Sequence, residues 1–158
     1  MNIKKTHPIT HTIARYFLAT VILMYAIAKI MGTQFSSASS IWDKTVGELS
    51  GFELTWFFYG YSFWYGVFIA SSQIIAAFLL FFKKTTRLGI VLYLSIMINI
   101  LVLDFTYGVD AAIGMAVVLT IVALYVFLSK FTLFYDYFIT KPPLFDNTDR
   151  PNWINNTI

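Results

Sequence analysis

The stretch "SQIIAAFLLFFKKTTRLGIVLYLSIMINI", residues 72–100, decides the fold. Two apolar runs flank a short break that holds Lys83, Lys84 and Arg87. An α-helix needs about 20 apolar residues to cross the hydrocarbon core of a bilayer, and both runs extend toward that length. Lys and Arg collect in the cytoplasmic loops of membrane proteins. The stretch therefore reads as a transmembrane hairpin whose turn lies in the cytoplasm.

Working outward, the same length criterion places spans at about residues 13–32, 58–82, 88–105 and 111–129. The third run is short before its polar end and must take in Asp104 and Phe105 to cross. Composition agrees, since the 158-residue chain is 58% hydrophobic and 12% charged, with a mean hydropathy of +0.71. A soluble domain is about 45–50% apolar and about 25% charged. The expected architecture is all-α: one integral membrane domain over residues 1–158, folded as an antiparallel four-helix transmembrane bundle. A net charge of +3 is then a topology signal and implies no nucleic-acid partner. The chain has no cysteine, which removes disulfides, thiolate metal sites and iron–sulfur ligation.

Basic residues set the orientation. Lys4, Lys5 and Arg15 precede the first span, Lys83, Lys84 and Arg87 fill the second turn, and Lys130, Lys141 and Arg150 follow the fourth span. The loop of residues 33–57 instead sets Lys44 against Asp43, Glu48 and Glu53, and the turn near 104–110 carries Asp104 and Asp110. Both termini are expected in the cytoplasm. In intact cells a Ser37→Cys protein should react with an impermeant maleimide and a Thr85→Cys protein should not; the reverse pattern would invert the topology. Lys4, Lys5 and "AIA" at 26–28 resemble a cleavable secretory signal, but the apolar run continues through Ile30 and Met31, so the first span is expected to be retained.

Ser50 followed by Glu53 ahead of an apolar run is a capping box, which predicts a helix starting near Gly51. Unbroken to Phe82 it would be about 48 Å long, well beyond the hydrocarbon core. Its first turns therefore lie along the outer surface, or the helix tilts and protrudes, with Gly60 and Gly66 as candidate bends. "KPP" at 141–143 ends any helix continuing from the fourth span, and the cytoplasmic tail of about residues 141–158 reads as irregular.

Helical rise from the basic anchors gives depth. Lys29 stands about 21 Å above Arg15, Gln73 about 15 Å above Lys83, and Asn99 and Asp104 about 18 and about 25 Å above Arg87. Tyr25 is one turn from Lys29 on the same face. Tyr25, Lys29, Gln73, Asn99 and Asp104 thus form an intramembrane polar cluster, with Lys29 and Asp104 expected to pair because lipid offers no partners. Two readings stand: snorkelling and interhelical hydrogen bonding, or a pocket open to the outer face for a headgroup, a quinone or a partner. In "WFFYGYSFWYG" (56–66) eight of eleven residues are aromatic, which fits an interfacial belt or a stacking wall. His7 and His11 have no third ligand near them, no histidine lies within the spans so drawn, and no metal site is expected. No nucleophile-and-base pattern appears, so no catalytic residue is assigned.

Arg15 opening the first span, "YAIAK" closing it, "MGTQF", "LTWFFYGYS" and the hairpin of residues 72–100 resemble the DoxX-like four-helix membrane proteins. The resemblance covers about residues 15–107. It implies an accessory partner in a membrane complex, and the family's name comes from a subunit linked to quinone-dependent sulfur oxidation. Where many members carry a glutamate in the second span this chain has Gln73, so no titratable acid stands there. Three functions follow as expectations for a multi-pass protein of a bacterial cytoplasmic membrane. The first is an accessory or assembly subunit working with membrane lipids and a protein partner or a second copy. The second is a quinone-interacting subunit of an oxidoreductase, with quinone or lipid as its ligand and no covalent or metal-held cofactor. The third is a small oligomeric transporter.

Overall fold

The computed structural model describes residues 8–35 and 41–140; Lys4, Lys5, His7, Ser37 and the expected irregular tail lie outside them. Among the described residues the regular elements are helical: α1 (Pro8–Ile30), a 3₁₀ turn (Val46–Glu48), α2 (Gly51–Tyr61), α3 (Phe63–Phe81), α4 (Thr86–Tyr107), α5 (Asp110–Leu128) and α6 (Phe131–Tyr135), which runs into a π turn (Asp136–Thr140). Four of them are long and apolar enough to cross a membrane: Ile9–Ile30, Phe63–Phe81, Thr86–Tyr107 and Asp110–Leu128. The chain is an all-α four-helix bundle and a multi-pass membrane protein.

The ring of packing runs α1, α3, α4, α5 and back to α1. Tight connections make α3, α4 and α5 successively antiparallel. At one pole, Arg15 near the start of α1 meets Thr86 at the start of α4, and Tyr16 meets Phe81 at the end of α3. The core between the helices mixes small residues (Ala19, Ala26, Ala70, Ala76, Ala77, Ala116, Ala123) with Leu18, Ile22, Leu80, Ile90, Tyr93, Met97 and Leu119. Small side chains let helix backbones approach closely, the usual device where lipid removes the hydrophobic drive between helices. The opposite faces are apolar too, with Phe78, Phe82, Val102, Phe105 and Ile121 exposed to the surroundings, as lipid contact requires.

Two expectations need correction. Among the described residues the first span already runs from Ile9, ahead of the expected start near residue 13. Arg15 and His11 therefore lie inside a span rather than ahead of it. Arg15 is only 2% exposed; its Nη1 donates to Thr86 Oγ1 at 3.0 Å and its guanidinium sits 4.9 Å from the Tyr16 ring centre, while Nε and Nη2 have no partner among the described residues. The second correction is that neither Gly60 nor Gly66 breaks the long helix. Ser62 does: its extended backbone (φ −120°, ψ 112°) ends α2, and its Oγ accepts from Tyr65 N at 3.3 Å to start α3.

Thr86 Oγ1, which itself donates to the Phe82 carbonyl, is the one hydrogen-bond acceptor described for the buried Arg15. Thr86→Val should therefore cost about 1.5–3 kcal/mol, the worth of a hydrogen bond to a charged group. Unfolding in detergent measures it, with Thr86→Ser close to wild type. Equal stability of Thr86→Val would mean that the guanidinium finds another acceptor.

Candidate functional site

The pole opposite Arg15 holds a cavity of about 420 Å³. The C-terminal turns of α1 bring Tyr25 and Lys29, α3 brings Tyr65, Phe68, Ser72 and Gln73, α4 brings Ser95, Asn99 and Asp104, and α5 adds Ala112 and Ala116. That the ends of α1 and α4 meet the starts of α3 and α5 here confirms the antiparallel arrangement. Thr55, Trp56 and Tyr59 of α2 close the space from above, and Gln34 and Phe35 close it from the turn after α1. All five residues expected in the intramembrane cluster line this one cavity.

The expected Lys29–Asp104 ion pair does not form: among the described residues the one salt bridge within 4.0 Å is Lys44–Glu53. The reason is local. Backbone bonds from Gly32 to the Lys29 carbonyl and from Thr33 to that of Ala28 curl the chain back at the end of α1. Gln34 is thereby carried over the ammonium, and Lys29 Nζ donates to Gln34 Oε1 at 2.8 Å. The same ammonium lies 5.9 Å from the ring centres of Tyr25 and Phe35, within cation–π range.

Across the cavity several polar atoms have nothing to bond. Gln73 is fully buried with Nε2 and Oε1 both unpartnered, and Asp104, 4% exposed, has a free Oδ2. Ser72 and Ser95 have given their protons to the Ile69 and Val91 carbonyls of their own helices, so they cannot donate to these groups. An unmet buried donor or acceptor costs about 1–3 kcal/mol, and here both residues that carry the unmet atoms belong to the lining of one cavity.

The aromatic stretch divides. Phe58, Tyr61, Phe63 and Trp64 are exposed, as a belt would be. Trp56, Tyr59 and Tyr65 turn to the cavity. Phe35, Tyr59, Tyr65 and Phe68 form a ladder of near-parallel rings, with centres 5.4, 5.9 and 6.3 Å apart and interplanar angles of 17°, 15° and 22°. The exposed rings and the cavity-lining rings thus occupy different faces of this stretch. Gln34, Phe35 and Thr55 were not expected at the site. Their signal is weak in sequence, since the loop and α2 carry no depth marker from which to count.

The roof is held at its start. The expected capping box is present: Ser50 N donates to Glu53 Oε2 at 2.9 Å and Glu53 N to Ser50 Oγ at 3.2 Å. Gly51 is pressed against α4, where a Cβ would lie 2.6 Å from the Tyr107 carbonyl oxygen. A second cavity of about 590 Å³, lined by Trp42, Leu54, Phe57 and Tyr61, lies along another face of α2, so the roof is thinly supported there. Lys44, and then the Ser50 donors, hold the Glu53 carboxyl down to about 2 from 4.5. A depressed carboxyl stabilises above its ordinary pKa and loses that contribution as pH falls toward its folded value. Amide exchange in α2 should accordingly speed up as pH drops from 4.5 toward about 2 once the intrinsic pH dependence is removed. Glu53→Gln should show the faster exchange already at neutral pH. Identical behaviour of the two proteins would mean that other contacts hold the roof.

No family model matches the chain, and no solved structure matches it. A curated relative, "Uncharacterized protein YwoB" of Bacillus subtilis (strain 168), is 33% identical over 107 residues, which is 68% of this chain and 66% of that protein. The match thus spans just under two thirds of the relative's length, and the relative's name assigns it no activity.

Proposed function

We propose that the chain is a DoxX-like accessory subunit of a membrane complex, set in a bacterial cytoplasmic membrane with both termini inside, and that it holds a small amphiphile beneath α2. The observation that carries the proposal is Gln73, a fully buried amide with both polar atoms unpartnered on the wall of a cavity. Interhelical hydrogen bonding would have given that amide a partner on a neighbouring helix; a ligand supplies one from the cavity. The volume, the apolar and aromatic lining and the few convergent polar groups are those of small-molecule sites, which run to about 300–1,000 Å³.

The test is purification in mild detergent followed by mass spectrometry of everything retained. A small molecule in stoichiometric amount together with a membrane-protein partner is expected. An empty protein with no partner would end the proposal. A second reading, a quinone-interacting subunit of an oxidoreductase, draws support from the ladder of parallel rings along the cavity, and recovery of a quinone in the same experiment would favour it.

A further inference from the structure

We propose that the ligand of this cavity is a zwitterion, its anionic group on Lys29 and its ammonium on Asp104. This rests on the pocket proposed above and names its occupant. The cavity carries one positive and one negative side chain on different helices, α1 and α4, and no ion pair joins them. Lys29 has three N–H donors and uses one on the neutral Gln34 amide, so two remain. Asp104 Oδ2 is buried and has none of its acceptor capacity used by the described residues.

A ligand with a single charge would satisfy one of these groups and leave the other buried and unmatched, which is the costly state for a charge in a low-dielectric setting. A neutral ring would meet both, but through weaker bonds than two ionised groups make. A zwitterion answers both with charge-assisted hydrogen bonds and adds no net charge to the membrane interior. Trp56 and Tyr59 bring aromatic surface to the same space, which favours an ammonium. The Gln73 amide, with a free donor and a free acceptor, can serve either end. At about 420 Å³ the cavity suits a headgroup or a free small zwitterion rather than a whole lipid.

The experiment is calorimetric titration of the full chain in dodecyl maltoside with four probes: dihexanoylphosphatidylethanolamine, dihexanoylphosphatidylglycerol, O-phosphoethanolamine and decylubiquinone. The ethanolamine lipid should bind about tenfold tighter than the glycerol lipid of equal chain length, the affinity that one charge-assisted hydrogen bond carries. Asp104→Asn should erase that ratio, while Lys29→Met should weaken both lipids. Binding of O-phosphoethanolamine as well identifies a free zwitterion as sufficient; binding of the ethanolamine lipid without it identifies a lipid headgroup. Either result supports the proposal.

Equal or tighter binding of the glycerol lipid overturns it, as does a ratio that survives Asp104→Asn. If the Asp104 variant does not fold, the ratio measured on the wild-type chain decides alone. Decylubiquinone binding without either ethanolamine probe overturns the zwitterion and leaves the pocket standing. No binding by any probe, in a protein that also purifies empty, removes both.

Discussion

A Gly89→Val protein is expected to lose about 3 kcal/mol of stability, the upper end of what overpacking costs. Gly89 lies where α4 starts against the end of α3. A Cβ there would stand 2.8 Å from Leu79 Cβ, 2.9 Å from the Leu79 carbonyl carbon and 3.0 Å from Leu80 N. Two of those three atoms are backbone, so no change of rotamer relieves the contact; the helices must separate. The hairpin turn of residues 82–85 fixes α3 to α4 at this point and leaves little freedom to do so. Gly89→Ala meets the same atoms, but regains about 1 kcal/mol of helix propensity, so its loss should be smaller. Unfolding in detergent should rank wild type above Ala above Val. An alanine variant more stable than wild type would mean that the hairpin slides without cost. Because Gly89 sits at the pole away from the cavity, ligand capture per folded molecule should not change.

How much of this was legible before the structure follows from what lipid forbids. Apolar length and basic placement find spans because the bilayer sets both, and the hairpin of residues 72–100 needed nothing else. The polar cluster was legible for the same reason: Tyr25, Lys29, Gln73, Asn99 and Asp104 stand at similar heights, and counting rise along helices gives height. It does not give partners. Whether Lys29 reaches Asp104 or folds onto Gln34 depends on how the chain turns after α1, over residues with no periodic pattern. The break at Ser62 was hidden by two nearby glycines, which are plausible bends; a serine oxygen that caps the next helix outranked them. Arg15 reads as a flanking charge in sequence because its contacts with Thr86 and Tyr16 are ones that no spacing announces.

Gln73→Leu is expected to stabilise the ligand-free protein, by about 1–3 kcal/mol, because it removes a buried amide whose donor and acceptor are both unmet. The same change should reduce capture of the ligand. Opposite signs on stability and binding are what a binding site requires and what a structural hydrogen bond cannot give. Lys29 and Asp104 extend the test. If they formed a buried pair, Lys29→Met and Asp104→Asn would each cost about 3–5 kcal/mol and the double variant would recover much of it. No such contact pair is present, so in the ligand-free protein the two charges couple only through space across the cavity, and their coupling should exceed the scatter of about 0.3–0.5 kcal/mol seen for independent sites only modestly. Saturation with ligand should change that. A molecule bound to both side chains makes each substitution depend on the other, and the coupling should then rise well above the scatter. Strong coupling without ligand would restore the direct pair; a coupling that ligand leaves unchanged would leave Lys29 and Asp104 without a shared ligand. The cycle thus distinguishes two charges that merely share a cavity from two that meet through what fills it.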